Sequence, residues 1–250
     1  MATAKAQPTE LLDVSARRAR GARGLSAAPR ALTALFLFVV PLTLYLGNTE
    51  YGYTKTILAY PLVFSRWALW GVQGWLSGRW RLRLPALWWP GLALLGAGAL
   101  SLIHATSPGV VLQSLGVLAT FFLFYLYLAN QARDRRSFHL CLAAMVLSAF
   151  CASVYGALQH ESLVPGLPGA RGGENAMISS LGNKNFLAEF VGLWLIPGLL
   201  LLLNARRLWL KLAALAMAGV NFGVFVTADS MGATLGALAG LALVGLCLAV

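Results

Sequence analysis

Apolar residues in this chain do not alternate with polar ones at a helical or strand period. They come instead in runs of about 17–21 residues that are apolar on every side, separated by short polar connections. A run of that length, wound as a helix, covers the ~30 Å hydrocarbon core of a bilayer. A helix in a soluble core is usually shorter and keeps one polar face. The pattern predicts an all-α, polytopic transmembrane bundle with spans over 31–47, 57–77, 84–103, 110–129, 138–158, 186–203, 208–226 and 232–250. Residues 1–30 form a polar tail, and the apolar run after it ends without a small-x-small cleavage pattern, so it reads as a retained first span.

The connections orient the bundle. Lys5, Arg17, Arg18, Arg20, Arg23 and Arg30 lie in the tail. Arg79, Arg81 and Arg83 follow in the second connection, Arg133, Arg135 and Arg136 in the fourth, and Arg206, Arg207 and nearby Lys211 in the sixth. Fifteen of the nineteen basic residues therefore fall on one side. The opposite connections hold Lys55, Arg171 and Lys184 together with Glu50, Glu161 and Glu174. Basic residues stay in the cytoplasm, which puts the N-terminus inside. Trp67, Trp70, Trp75, Trp80, Trp88 and Trp89 fall toward that inner face, as interfacial anchors do.

Composition agrees, with 59% hydrophobic and 11% charged residues. The net charge of +11 would fit nucleic acid only with a basic face interleaved with aromatics, and the positive residues track the connections instead. Cys141, Cys151 and Cys247 all fall in predicted spans. The first two are about 15 Å apart along one helix, too far to bridge, and no His, Cys and carboxylate cluster has metal-ligand spacing.

One connection is long, the external stretch 159–185, and its Pro165, Gly166, Pro168, Gly169, Gly172 and Gly173 make it irregular. Loops of that length tend to be functional or disordered. Where it runs into the sixth span stands Ser179-Ser180-Leu181-Gly182-Asn183-Lys184-Asn185-Phe186-Leu187-Ala188-Glu189. Gly182 and Asn183 tolerate positive φ and suit a turn, and Asn185 is placed to cap the helix. A helix N-terminus beside Lys184 is an anion site suited to phosphate, or else simply a capped helix with a snorkelling lysine. Glu189 one turn inside and Arg66 in mid-span are ionisable groups inside the membrane. They are candidate site residues, although Arg66 pairing with Glu189 or Asp229 to hold helices together explains them equally well. Asp229-Ser230 marks an external turn, and Gly232, Gly236 and Gly240 after it are the small residues that let helices approach closely. His160-Glu161 at the loop mouth could act as an acid–base pair, whereas His104 and His139 read as solvated.

Gly182-Asn183-Lys184-Asn185-Phe186-Leu187-Ala188 resembles the Gly-Asn-x-Asn-x-x-Ala element of the O-antigen ligase and O-antigen polymerase superfamily. Thr227-Ala228-Asp229-Ser230-Met231-Gly232-Ala233 followed by Leu235-Gly236 is similar to its Thr-x-Ser-Arg-Gly-Ala-x-Leu-Gly element. The resemblance covers the chain from about residue 31. It implies a glycosyltransferase of the bacterial inner membrane, working on the periplasmic face. Such an enzyme moves a glycan from an undecaprenyl-diphosphate carrier to lipid A–core or another glycan, without nucleotide sugar, cofactor or metal. The diphosphate would lie near Asn183, Lys184, Asn185, Arg171 and Arg66, with Glu189, Asp229, Ser230 and His160 in support. Met231 stands where the family has arginine. Family members also continue through further spans and a large periplasmic loop with a functional histidine. Set against the family, the chain therefore reads either as a fragment, the N-terminal portion of a longer protein, or as a degenerate member, and in both cases as inactive by itself. Rival readings are a transporter or lipid-glycan flippase component, using Arg66, Glu189 and Asp229 as a charged path, and a non-catalytic membrane scaffold. Membrane lipids are partners under every reading.

Overall fold

The computed structural model describes residues 30–44, 51–78, 82–131, 134–164 and 177–249. Among them the chain is helical, without strands. The helices are α1 (Arg30–Leu42), α2 (Tyr51–Ser77), α3 (Trp88–Leu100), α4 (Pro108–Gln131), α5 (Arg135–His160), α6 (Lys184–Asn204), α7 (Leu208–Thr227) and α8 (Met231–Ala249). Short 3₁₀ turns at Ser101–His104 and Ser179–Leu181 precede α4 and α6. Among the described residues four stretches are long and apolar enough to cross a membrane: Pro108–Gln131, Arg135–His160, Lys184–Leu201 and Leu208–Thr227. Arg30–Leu42 and Met231–Leu243 are shorter apolar helices. At 27 residues α2 is long enough, but Arg66, Gln73 and its tryptophans dilute its apolar character.

Helix ends depart from the expected spans for local reasons. The first helix stops at Leu42, where the Thr43 N–H closes the last turn on Val39 O at 3.0 Å. The third begins at Trp88 and not at residue 84. The Asn130 side chain holds the Arg83 backbone through both N–H and C=O, at 3.0 and 2.9 Å, and keeps that segment extended. Helix α2 starts six residues earlier than expected, at Tyr51.

Two packed groups make up the bundle. In the first, Phe36, Ala59 and Val63 bring α1 and α2 against Leu123 and Phe124 of α4, and Phe36 and Phe124 pack ring to ring at 4.5 Å. Helix α3 lies outside this group with no residue buried. Trp67, expected among the inner-face anchors, instead donates its indole N–H to Leu123 O at 3.0 Å. In the second group Ala152 of α5, Leu187 and Val191 of α6 and Val224 of α7 enclose Met177. Small residues set the close approaches: Gly156 lies under Leu187 and Gly192 under Phe225. Across the seam, Ser148 Oγ donates to Phe38 O at 3.0 Å.

The two ends of the bundle carry different ties. At one end Arg30 pairs with Asp134 at 3.4 Å, near the Asn130–Arg83 bonds. At the other, Lys55, Thr43, Gln159 and the Ser179–Leu181 turn meet.

Candidate functional site

The site builds up from the turn before α6. Met177, Ile178, Ser179 and Ser180 are all buried, so this end of the long loop is folded onto the bundle. Ser179 has a φ of 53° and Gly182 a φ of 75°. A left-handed conformation costs a non-glycine residue roughly 1–3 kcal/mol and persists only where the surroundings hold it. Here the Ser179 N–H donates to Gln159 Oε1 at 2.7 Å and its hydroxyl to Ala152 O at 2.6 Å. Ser180 Oγ donates to Pro41 O at 2.9 Å, and Lys55 Nζ donates to both Ser180 O, at 2.8 Å, and Thr43 O, at 2.5 Å.

After this turn the chain reverses at Gly182 and enters α6. The cap is Asn183, not Asn185. Asn183 Oδ1 accepts the Asn185 N–H at 2.8 Å, and Asn183 O accepts the first intrahelical bond from Leu187 N–H at 3.0 Å. Asn185 thus sits one residue inside the helix, where its side chain caps nothing. Positive φ falls on Ser179 and Gly182, not on Asn183. Lys184 and Asn185 are exposed at the N-terminal turn.

A second helix begins beside the first. Ser230, 5% exposed, caps α8 by accepting the Ala233 N–H on Oγ at 3.4 Å. Asp229 before it is exposed and turns the chain with a φ of 45°. Ala188 of α6, Ala228 of the turn and Ala233 of α8 form one buried cluster. The two sequence elements singled out above, more than forty residues apart, are therefore packed on each other. Below their caps a groove of about 350 Å³ runs between α6 and α8, lined by Glu189, Gly192 and Leu193 on one side and Gly232, Gly236 and Gly240 on the other. Ala188 and Ala233, each near the start of its helix, share one cluster, and Gly232 faces Glu189, so both N-termini lie at the same end.

That arrangement places two positive dipole ends and the Lys184 ammonium together. It also places two carboxylates there. Glu189 Oε1 would be 3.8 Å from a Cβ at Gly232, and Asp229 lies beside Ser230. Met231, 81% exposed, occupies the first position of α8. His160 is the exposed last residue of α5, next to the Gln159 that holds Ser179. Arg171 lies outside the described residues.

Arg66 is not brought to this site. It is 4% exposed, donates Nη2 to Leu32 O at 2.9 Å, and is hydrogen-bonded to the Tyr127 side chain. Eleven residues, about 16 Å of helix, separate it from Lys55, which is level with the turn. It ties α1, α2 and α4 together and meets neither Glu189 nor Asp229.

Lys55, Ser179, Ser180 and Gln159 have no role in the sequence reading, although Ser179 and Ser180 open the element it singles out. One signal was available: Lys55 is a lone base in a connection otherwise acidic or neutral. Nothing local marks Gln159, whose partner lies twenty residues on. Among the described residues no group of His, Cys and carboxylates could hold a metal.

Fold and site together define a helical membrane protein in which two N-capped helices start side by side. Comparison of the chain with protein-family models, with curated proteins and with solved structures finds no match in any of the three.

Proposed function

We propose that this chain is an O-antigen ligase- or polymerase-like glycosyltransferase, with eight spans, a cytoplasmic N-terminus and its site on the periplasmic side of a bacterial inner membrane. The observation that carries the reading is the packing of Ala188 on Ala228 and Ala233, which joins the two family-like elements in one place. The orientation is supported by the ties at the two ends, since Arg30, Arg83 and Asp134, all from expected inner segments, share one end of the bundle.

In this reading the undecaprenyl diphosphate of the donor lies over the N-termini of α6 and α8. Free backbone N–H groups, two helix dipoles and Lys184 meet the charge that develops as the glycan leaves. The lipid tail follows the groove beneath them, between Glu189 and Gly240. An acceptor hydroxyl, on lipid A–core or another glycan, attacks the anomeric carbon. The carbon–oxygen bond to the diphosphate breaks, and Asp229 takes the hydroxyl proton. The transporter reading needs Arg66, Glu189 and Asp229 along one path, and Arg66 belongs to the opposite packed group.

The test is donor binding by the full encoded protein in lipid nanodiscs, read by native mass spectrometry with undecaprenyl-diphosphate glycan. At an effective dielectric near 20, one charge at about 5 Å is worth roughly 3 kcal/mol. Lys184→Glu reverses that charge and should weaken binding at least about tenfold even after screening, while Lys184→Arg keeps it. Equal binding by Lys184→Glu would reduce the element to a helix cap.

A further inference from the structure

Three separate stretches of chain end within reach of one side chain. Helix α1 finishes at Leu42; Val39 O still accepts the Thr43 N–H, while Pro41 O and Thr43 O accept from side chains of other segments. The loop returns to the bundle at Met177–Leu181. Helix α2 begins at Tyr51, and Lys55 is its fifth residue, at the start of the second turn. The Lys55 ammonium donates to Thr43 O at 2.5 Å and to Ser180 O at 2.8 Å, while Ser180 Oγ returns a bond to Pro41 O at 2.9 Å. A cation at the C-terminal end of α1 is also favoured by that helix's dipole.

We propose that Lys55 is the positioning residue of the α6 N-terminus: it pins the Ser179–Leu181 turn to the end of α1, and so fixes where Asn183 and Lys184 stand. Ser180 is three residues before the Asn183 cap, and the chain between them holds a left-handed Gly182 but no bulky side chain locked in the core. Leu181 is only half-buried. From the α5 side, Gln159 and Ala152 hold Ser179 alone. Without Lys55 the turn would keep its bonds to α5 and lose its carbonyl tie to the α1–α2 end. The inference for donor binding rests on the reading of the α6 N-terminus given above; the pinning itself does not.

Hydrogen exchange separates these. In the full protein, Lys55→Met should raise exchange of the Ser179–Gly182 amides at least about tenfold, with the α4 amides Phe121–Asn130 unchanged as a control for folding. Lys55→Arg, which can also donate to two carbonyls, should restore most of the protection. Ser180→Ala, removing the return bond alone, should loosen the same amides less. Combined with Lys55→Met it should add little, because both ties act on one turn. Donor affinity should fall in parallel with protection across the series, although Lys55 touches no donor atom. Unchanged exchange in Lys55→Met overturns the inference. So does raised exchange with undiminished donor binding in a protein whose binding does respond to Lys184→Glu. A protein in which neither variant affects donor binding would overturn the functional reading, and the exchange result would still decide the pinning.

Discussion

Gly156 offers the sharpest test of how the site is supported. It lies on α5, where a Cβ would stand 2.9 Å from Leu187 Cδ2, 3.2 Å from Met177 Cγ and 3.4 Å from Ser179 Cβ. Carbon atoms pack best at about 3.5–4.0 Å, so the added methyl overlaps the first two. Leu187 is the far end of a flexible side chain, but it is fully buried and has nowhere to retreat. Overpacking of this kind costs about 1–3 kcal/mol. Replacing a helical glycine by alanine would by itself gain up to about 1 kcal/mol, which confuses any single measurement. Gly219 on α7 supplies the correction, because a Cβ there meets nothing within 4 Å. The propensity gain is common to both positions, so Gly156→Ala should be about 1–3 kcal/mol less stable than Gly219→Ala. For a chain of this size that is roughly 2–12 °C in Tm, readable by circular dichroism in detergent micelles. Adding Leu187→Val, which withdraws a methylene's worth of volume from the clash, should recover part of the loss. Equal Tm for the two alanine variants would mean that the α5–α6 seam is looser than the distances require.

Two further outcomes follow from the caps and from Lys55. Asn183→Ala should cost about 1 kcal/mol as a lost N-cap, and Asn185→Ala almost nothing. The reverse order in a denaturant titration would return the cap to Asn185. Burial lowers the pKa of Lys55 from 10.5 to about 8, at a helix end just before the apolar stretch that begins with Ile57. Between these values the unfolded chain binds more protons, so stability contributed by this group rises with pH across that window. The remaining amine still has two N–H donors for its two carbonyls. The stability difference between the native protein and Lys55→Met should therefore grow from pH 8 to pH 10; a flat or falling difference in thermal melts refutes the assignment.

Helix existence was legible because each apolar run exceeds what a soluble helix would tolerate, and eight runs correspond to eight helices. Their ends were less so. Nothing near Pro85 reveals that Asn130, almost fifty residues on, holds the preceding backbone extended. The α6 start was legible in place but not in detail: three candidate polar residues stand in a row, and which one caps depends on where Gly182 reverses the chain. Ser230 illustrates the opposite case, a residue noted for chemistry whose contact is a cap on Ala233. Arg66 looked like a site residue because an intramembrane cation is costly. Its cost is met by a carbonyl on α1 and a phenol on α4, neither of which a one-dimensional pattern can place beside it.

The long-range ties between α1–α2 and the later helices also set an order of events during synthesis. Lys55 and Ser180 are 125 residues apart, Pro41 and Ser180 are 139 apart, and Phe38 and Ser148 are 110 apart. A ribosome adding about 5–20 residues per second takes roughly 6–25 s to travel from Lys55 to Ser180. Through that interval the α1–α2 segment is already made and Lys55 can reach Thr43 O, yet its second acceptor, Ser180 O, and the Ser180 hydroxyl that bonds Pro41 O do not exist. The segment therefore waits for its remaining partners until α5 and the Ser179–Leu181 turn have been made. Pausing the ribosome just before codon 179 should leave Lys55 open to amine-reactive probes, and release by a few tens of residues should close it.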